Sequence, residues 1–422
     1  MADKAGSNTF ETLNGHFKET YADRIEDLRP DGVKLLNAIE FMPSAKMQGN
    51  LYHQPIILSH EQGFTYGGSA GTAFSLSDAV QSGNQDAQVR GSELVLRSIL
   101  SVAAASRSTN SAASFIQETK LLVENMLKST AKRVEIEILY GQENVGVVDS
   151  LPTTTSFVVK DHHWASGIWS GMEGAVLSIF DAAYGVKRAD VNVVSVDLTT
   201  KTITVDVDIS AAGVVDTDVI HFLTAAAVGP IFNEFIGIHA IITNTGTLFN
   251  VNASSYNLWK GNITDVGTDA TSGASVLTFE SIEVSVAKAM DKGLNDEDIT
   301  VLVSPLSWKN LLVEQDAKRM YDSSYSKEMA DAGSKSIKFY GQNGIIEIVS
   351  SIYCKEGFAY ALPLKEYMRV GSTDITFEQP GMEGKFFRLL ENHNGYEMRC
   401  YTDQALFTSK PGLSTLLRFI KS

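Results

Sequence analysis

The sequence predicts an α+β fold built from several lobes, and three patterns carry this prediction. A long amphipathic helix occupies residues 111–140, a run of alternating strands follows residue 188, and short apolar strands alternate with helices after residue 278. The chain has 422 residues, of which 44% are hydrophobic and 20% are charged. A single hydrophobic core rarely grows beyond roughly 250–300 residues, so we expect more than one lobe.

Charge, cysteine content and the N-terminal residues limit the classes of protein to which this chain can belong. The chain carries 35 Lys and Arg against 50 Asp and Glu, a net charge of -15, which argues against tight general binding of nucleic acid. The two cysteines, Cys354 and Cys400, are too few for a disulfide scaffold and predict buried thiols in a reducing cytoplasm. The polar start has no signal-peptide pattern, and no stretch reaches the roughly 20 apolar residues of a membrane helix. We therefore expect a soluble protein without a membrane segment.

The first 46 residues are polar with short helical stretches. Phe17, Tyr21, Ile25 and Leu28 share one helix face, and Pro30 ends that helix. A second short helical run covers residues 33–41. Two interpretations remain open, since this segment can be an arm that covers another surface or can pack against its own chain.

An extended hairpin is predicted next. Residues 51–58 (LYHQPIIL) and 89–98 (VRGSELVLRS) are typical of strands, and a Gly-, Ser- and Ala-rich stretch from Gln62 to Gln88 separates them. Connections of this length are unusual in compact domains, so the stretch is either the tip of a projecting hairpin or a disordered surface loop.

The longest helix follows the hairpin. Apolar residues recur with the 3.6-residue period over residues 111–140, and neither Pro nor Gly interrupts them before Gly141. At 1.5 Å per residue, this helix would be roughly 45 Å long. A further apolar-faced helix is predicted over residues 167–184, with Trp169, Met172 and Val176 on one face.

The character of the sequence changes near Arg188. Residues 190–209 alternate apolar and polar side chains around a Thr-Thr-Lys turn, which predicts a β-hairpin. The Val-, Thr- and Asp-rich stretch to Gly273 predicts a small all-β module, a barrel or a sandwich. Beyond it the pattern predicts a helix over 278–292, a buried strand over 299–303, a helix over 306–320 and several further strands.

Sites for chemistry are not indicated. The glycines from Gly67 to Gly71 are not followed by the lysine of a phosphate-binding loop, and Ser166-Gly167 and Ser170-Gly171 lack the flanking glycine of a hydrolase elbow. The adjacent pair His162-His163 does not have the spacing of metal ligands on one helix face. Acidic pairs such as Asp206 and Asp208 are typical of a solvated strand face. We therefore predict no catalytic, cofactor-binding or metal-binding residues, and no enzyme.

The order of these parts resembles a known family. A short arm, a long Gly-rich hairpin and a long helix precede a lobe that closes with VLVSPLSWKNL (301–311) and GQNGIIEIVSSIYC (341–354). This order resembles the major capsid proteins of tailed bacteriophages, which have the Hong Kong 97 type fold. Residues 236–263 are similar to the β module inserted in some of those proteins. The resemblance implies an N-terminal arm (1–50), an extended loop (51–98), a peripheral domain (99–185) with its spine helix (111–140), a β-rich insertion domain (186–273), an axial domain (274–375), and a return to the peripheral domain with a C-terminal tail (376–422).

The function that the resemblance implies is self-assembly. Hexamers and pentamers would build an icosahedral head shell around double-stranded DNA, without sequence-specific binding, and the protein would reside in the virion. Implied partners are a portal protein, a possible decoration protein and a separate scaffolding protein, since the arm begins almost at Met1. No lysine occurs from Met47 to Thr119, so the loop cannot supply an isopeptide cross-link of the kind found in some relatives.

Candidate contacts between subunits lie in and beside the loop. Aromatic anchors dominate interface energies, which favours three side chains in the tip, and three charged side chains alternate along the second strand. The predicted interface residues are Phe64, Tyr66, Phe74, Arg90, Glu93 and Arg97. Alternatives to a phage shell are an encapsulin-like nanocompartment, a tail-tube protein and an enzyme of unknown type; the content of the particle, the form of the polymer or a pocket with convergent polar groups would distinguish them.

Overall fold

The computed structural model describes residues 32–42, 51–101, 112–223, 233–266, 276–295, 297–313, 337–341, 344–378, 386–391 and 394–419. The chain divides at Pro30 into two units, and the described residues all lie in the second. The helix predicted around Tyr21 therefore lies outside the described residues, as does the end of the helix predicted over 306–320.

Six α-helices and twenty-one strands occur in the described residues. The helices are α1 (Leu35–Ala38), α2 (Ala112–Tyr140), α3 (Ser166–Trp169), α4 (Ile238–Thr243), α5 (Phe279–Met290) and α6 (Pro305–Val313). The strands are β1 (Phe41–Met42), β2 (Tyr52–Ser59), β3 (Gly83–Val89), β4 (Ser92–Ser101), β5 (Gly146–Thr153), β6 (Ser156–Val159), β7 (Val176–Phe180), β8 (Lys187–Asp197), β9 (Thr202–Val205), β10 (Val219–Phe222), β11 (Thr247–Leu248), β12 (Val251–Asn252), β13 (Asn262–Asp265), β14 (Ile299–Val303), β15 (Ile337–Gly341), β16 (Gly344–Ser350), β17 (Phe358–Leu362), β18 (Tyr367–Thr376), β19 (Arg388–Leu389), β20 (Gly395–Thr408) and β21 (Thr415–Arg418).

The long helix α2 lies against a five-stranded sheet. Its strand order is β1-β18-β20-β19, with β4 also paired to β20, and only β1 runs parallel to its neighbour. Met126 of α2 packs with Met398 and Cys400 of β20. The predicted helix is thus confirmed, with 29 residues. It ends at Tyr140, and a Cβ atom at the next residue, Gly141, would collide with the backbone carbonyl of Phe235.

A closed barrel follows α2, with the strand order β10-β5-β6-β9-β8-β7. The predicted hairpin around the Thr-Thr-Lys turn is confirmed as β8 and β9. The barrel strands begin at Gly146 and end at Phe222, so they include three strands that precede the predicted module over 186–273. Residues 238–265 instead form α4, the β11–β12 hairpin and β13. The strands β5 and β6 lack clear alternation of buried and exposed residues, which explains why their sequence carries no strand signal.

The helix predicted over residues 167–184 is wrong. Helix α3 spans only Ser166–Trp169, and β7 occupies the rest of the apolar run. Gly171 and Gly174 have positive φ angles of 71° and 82°, which end the helix. Nearly every residue of β7 is buried. A strand buried on both faces can imitate the spacing of a helix, because its apolar residues are continuous.

A six-stranded sheet of mixed direction forms the last lobe, with the order β13-β21-β17-β14-β16-β15. Helix α5 covers it, and its N-terminus is capped because the Thr278 hydroxyl accepts a bond from the Ser281 amide while the Ser281 hydroxyl reaches back. Ile282 and Val286 of α5 are buried with Leu417 of β21. The predicted helix over 278–292 and the strand over 299–303 are confirmed.

The chain contains no helix, among the described residues, that is long and apolar enough to cross a membrane.

Candidate assembly interface

The extended hairpin consists of β2 and β3, and its base is fixed to the body. Tyr52 pairs with Val89 at the base, and Gly83 pairs with Ser59 near the tip. The Tyr52 ring meets the Phe407 ring edge-on, with centroids 5.3 Å apart. The backbone amide of Gln88 donates to the carbonyl of Phe249 at 2.9 Å. The hairpin is therefore a projection from a rigid base rather than a free loop.

The turn between β11 and β12, which contacts the base of the hairpin, is itself strained. Phe249 and Asn250 join β11 to β12 with φ angles of 49° and 67°, the left-handed pair of a two-residue hairpin turn. A phenylalanine in this conformation is unfavourable, and packing holds it there, since its ring lies 5.2 Å from that of Phe407. The Asn250 amide also donates to the carbonyl of Asp86 at 3.2 Å.

The tip of the hairpin exposes large apolar side chains. Within residues 60–82, Gln62 and Val80 form an isolated antiparallel bridge. Beyond it, Phe64 is 75% exposed, Tyr66 93% and Leu76 81%. Scattered single apolar residues are normal on a surface, but several on one projecting loop are typical of an interaction site. The structure thus brings two of the predicted aromatic residues to the same tip.

Phe74 differs from the other two aromatic residues. Its ring lies against the backbone of Gly67, where a Cβ atom would come within 2.6 Å of a ring carbon. Phe74 is therefore partly covered by its own loop and stabilises the loop's shape. Sequence reasoning missed Leu76 and Val80, which are both exposed. Their exposure could have been predicted, because an apolar residue in a Gly- and Ser-rich stretch has no neighbouring apolar residues with which to form a core.

The second predicted strand, residues 89–98, is divided between two sheets. It breaks at Arg90-Gly91, so that β3 pairs with β2 and β4 pairs with β20. A Cβ atom at Gly91 would meet a side-chain oxygen of Asp403, so the Asp403 carboxylate lies directly against the backbone at this break. Arg90 is exposed at this break.

Glu93 and Arg97 share the face of β4 that points away from α2. In the register with β20, Glu93 lies opposite Asp403 and Arg97 lies opposite Arg399. Arg97 forms an ion pair with Glu397 of its own chain at 2.9 Å, and Arg399 contacts the same carboxylate. Arg97 therefore pairs within the subunit. Val95 and Ile99, which the sequence analysis did not single out, are exposed on this face.

The hairpin is acidic. Between residues 51 and 89 the sequence contains Glu61, Asp78 and Asp86 but no lysine or arginine. His53 lies 2.7 Å from Asp86 across the two strands. The hydrogen bonds from Gln88 and His53 lower the pKa of Asp86 below its usual value. The tip therefore presents apolar side chains together with negative charge.

Other candidate groups have structural partners. The rings of His162 and His163 are 4.6 Å apart, and burial lowers the pKa of His163 to about 2. Asp206 accepts bonds from the backbone and side chain of Asn192. In the part of the chain that the structure describes, no three His, Cys, Asp or Glu side chains are grouped to hold a metal ion.

Comparisons with known proteins match this chain to capsids. No family model and no curated protein matches the sequence. Among solved structures, the capsid asymmetric unit of Cyanophage A-1(L) is similar, with a TM-score of 0.58 and 11% identity over 98% of this chain and 100% of that one. The capsid of a native GTA particle is also similar, with a TM-score of 0.53 and 8% identity over 98% of this chain and 100% of that one.

These matches define the class of fold. Because they extend over nearly the whole of each chain, they concern the complete architecture rather than one lobe. The protein has the fold of a virus-particle shell subunit. More particularly, it has the fold of a bacteriophage capsid protein, and the resemblance found in the sequence is confirmed at the level of the fold.

Proposed function

We propose that this chain is the major capsid protein of a tailed bacteriophage and self-assembles into the icosahedral head shell. The observation that carries the proposal is the match in fold along 98% of the chain to a complete capsid subunit. The protein would reside in the virion and have no catalytic role. A portal protein, a separate scaffolding protein and a decoration protein would be its partners.

The parts of the fold are assigned to the Hong Kong 97 type architecture as follows. Helix α2 and the five-stranded sheet form the peripheral domain, and the six-stranded sheet with α5 forms the axial domain. The hairpin of β2 and β3 is the extended loop. The barrel from Gly146 to Phe222 is the inserted β module, which moves the boundaries of that module from those that the sequence suggested.

Assembly follows from the exposed tip. Each large apolar side chain that becomes buried on a neighbour contributes about 1.5–3 kcal/mol before the entropic cost of association. A tip that binds a different part of the neighbouring subunit makes a heterologous contact, and heterologous contacts form rings when the rotation between subunits closes. Many such contacts, each modest, allow errors to dissociate while the shell as a whole remains stable.

The charge of the chain is compatible with a container for DNA. A net charge of -15 gives no general attraction to phosphates, so the shell can enclose double-stranded DNA without adhering to it. Sequence-specific contacts are not expected.

The tip provides the test. A variant in which Phe64, Tyr66 and Leu76 are replaced by serine keeps β2, β3 and the Gln62–Val80 bridge, so the subunit should remain folded. We expect soluble subunits or open rings in negative-stain electron microscopy, where the wild-type chain gives closed shells.

The matched control replaces exposed valines of the barrel, Val194 and Val215, by serine. This control should still give closed shells. Normal shells from the tip variant would contradict the role of the tip, and a wild-type chain that never forms shells or rings would contradict the proposed function.

A further inference from the structure

A lysine and an asparagine from distant parts of the chain meet inside the fold. Lys355 lies between β16 and β17 and is 2% exposed. Its Nζ lies 2.7 Å from the backbone carbonyl oxygen of Asn144 and 3.3 Å from Oδ1 of the same side chain. Asn144 lies between the end of α2 and β5, 211 residues earlier in the sequence. The fold therefore holds a primary amine against a carboxamide.

Both reacting groups are fixed by further contacts. Nζ of Lys355 lies 4.2 Å from the ring centroid of Tyr140, and the backbone amide of Lys355 donates to the Tyr140 hydroxyl at 2.9 Å. One buried tyrosine therefore holds both the backbone and the amine of the lysine. The side chain of Asn144 is hydrogen-bonded to the Tyr184 hydroxyl, which holds the carboxamide.

The surroundings favour the neutral form of the amine. Burial lowers the pKa of Lys355 to about 7, although attraction to Glu143 opposes this shift. A neutral amine has a lone pair and is a nucleophile, whereas an ammonium group only donates hydrogen bonds. Burial raises the pKa of Glu143, whose carboxylate accepts the backbone amide of Asn144. Glu143 is thus a carboxyl group that can bind and release a proton beside the carboxamide.

We propose that Lys355 and Asn144 react with each other to form an isopeptide bond within the subunit. Cγ of Asn144 is one C=O bond, about 1.23 Å, from the Oδ1 atom that Nζ already contacts. A small rotation of the side chains therefore brings Nζ within the roughly 3–3.5 Å of Cγ that attack requires. The lone pair of Nζ forms the new bond to Cγ, the bond from Cγ to Nδ2 breaks, and Nδ2 leaves as ammonia.

The proton balance of the reaction closes within the site. Nζ loses one proton as the new bond forms, Nδ2 gains one proton as it leaves, and Glu143 carries the proton between them. One amine and one carboxamide become one secondary amide and one ammonia, so nothing is oxidised or reduced and no co-reactant is consumed. The reaction occurs once in each subunit and acts on no other molecule. The inference does not depend on the proposed function.

The bond ties the end of α2 to the segment between β16 and β17. It closes a loop of 211 residues in the unfolded chain, which lowers the entropy of the unfolded state and stabilises the folded subunit. Cys354 and Cys400 are free thiols, so a disulfide does not supply such a tie.

Intact mass spectrometry of the purified full-length chain tests the bond. After incubation at pH 8, the mass of one chain should be lower than the mass of its sequence by one molecule of ammonia. A tryptic digest should contain a branched peptide that joins residues 134–160 to residues 339–365, because trypsin does not cleave after an acylated lysine. An asparagine before glycine, such as Asn394, can also lose ammonia by forming a succinimide, but the two peptides then stay separate.

Variants identify the reacting groups. Asn144→Ala and Lys355→Met each remove one reactant and should give the full mass and separate peptides. Lys292→Met is the matched control and should still give the branched peptide, because Lys292 is a half-buried lysine that donates to the backbone carbonyl of Lys260 at 2.6 Å. Glu143→Gln should form the branched peptide more slowly in samples taken at equal times after synthesis, and an equal rate would remove Glu143 from the reaction.

A wild-type chain of full mass, with the two peptides separate, would overturn the proposal. A loss of ammonia without the branched peptide would overturn it as well. If Lys355→Met does not fold, the wild-type digest decides alone.

Discussion

Replacing Glu135 by alanine should release the segment of residues 33–42, which we call the strap. Glu135 is buried on α2, and its carboxylate accepts the amides of Lys34 at 3.0 Å, Leu35 at 2.9 Å and Leu36 at 2.7 Å. The four-residue helix α1 has no side-chain cap from its own N-cap residue, so a distant residue of α2 supplies the cap. Alanine would leave three amides without these bonds.

The expected change in the free energy of opening the strap follows from these three hydrogen bonds. A hydrogen bond to a charged group contributes about 1.5–3 kcal/mol, but removal of a buried carboxylate also recovers its desolvation cost. A net loss of about 3–5 kcal/mol is the expected range for a broken buried charge network. Opening of the strap should therefore become roughly a hundred- to a few thousand-fold more frequent, since about 1.4 kcal/mol corresponds to a factor of ten.

Hydrogen exchange of a peptide from residues 33–42 measures this opening directly. Arg369 also holds the strap, through a bond from its Nε to the carbonyl of Ile39 at 3.0 Å, so the strap should open more often without leaving entirely. Glu124→Ala, at an exposed position of the same helix, is the control and should change stability by less than about 1 kcal/mol. If the strap exchanged hydrogen at the same rate in Glu135→Ala as in the wild type, Glu135 would not be the residue that holds the strap in place.

Three further predictions concern stability and the interface. Burial, followed by repulsion from Glu234, raises the pKa of Glu137 to about 8. The folded state therefore keeps a proton on Glu137 that the unfolded state has lost, so the wild type should lose stability relative to Glu137→Gln as the pH rises from 5 to 9, measured by urea unfolding. Gly141→Ala should cost about 3 kcal/mol or more because its Cβ would meet backbone, whereas Gly68→Ala, which has open space, should be nearly neutral in the same assay. Arg97→Ala should leave shell formation intact in electron micrographs, because Arg97 pairs with Glu397 of its own chain; loss of shells would reassign it to the interface.

The sequence was most informative where a pattern was long. Helix α2 has a uniform period over eight turns and was predicted to within one residue, whereas the hairpin around the Thr-Thr-Lys turn was predicted correctly in type but with ends that differ by three and four residues. The prediction for the residues after Trp169 was wrong because a strand buried on both faces has no alternation to distinguish it from a helix. Positive φ angles at Gly171 and Gly174 decide between the two, and glycine content alone does not reveal them.

The candidate interface was predicted only in part, for a different physical reason. Phe64 and Tyr66 stand out as aromatic residues in a polar stretch, so their exposure follows from composition. The role of Arg97 depends on Glu397, which lies far away in sequence and is brought beside it by the register of β4 and β20.

Electron microscopy of the purified chain, alone and with a scaffolding protein supplied, tests directly whether the protein assembles into a shell. We expect closed polyhedral shells or rings of subunits that the Phe64, Tyr66 and Leu76 variant fails to complete. Uniform monomers under every condition would contradict the proposed function, because the exposed apolar side chains of the hairpin tip would then not bind another copy of the chain.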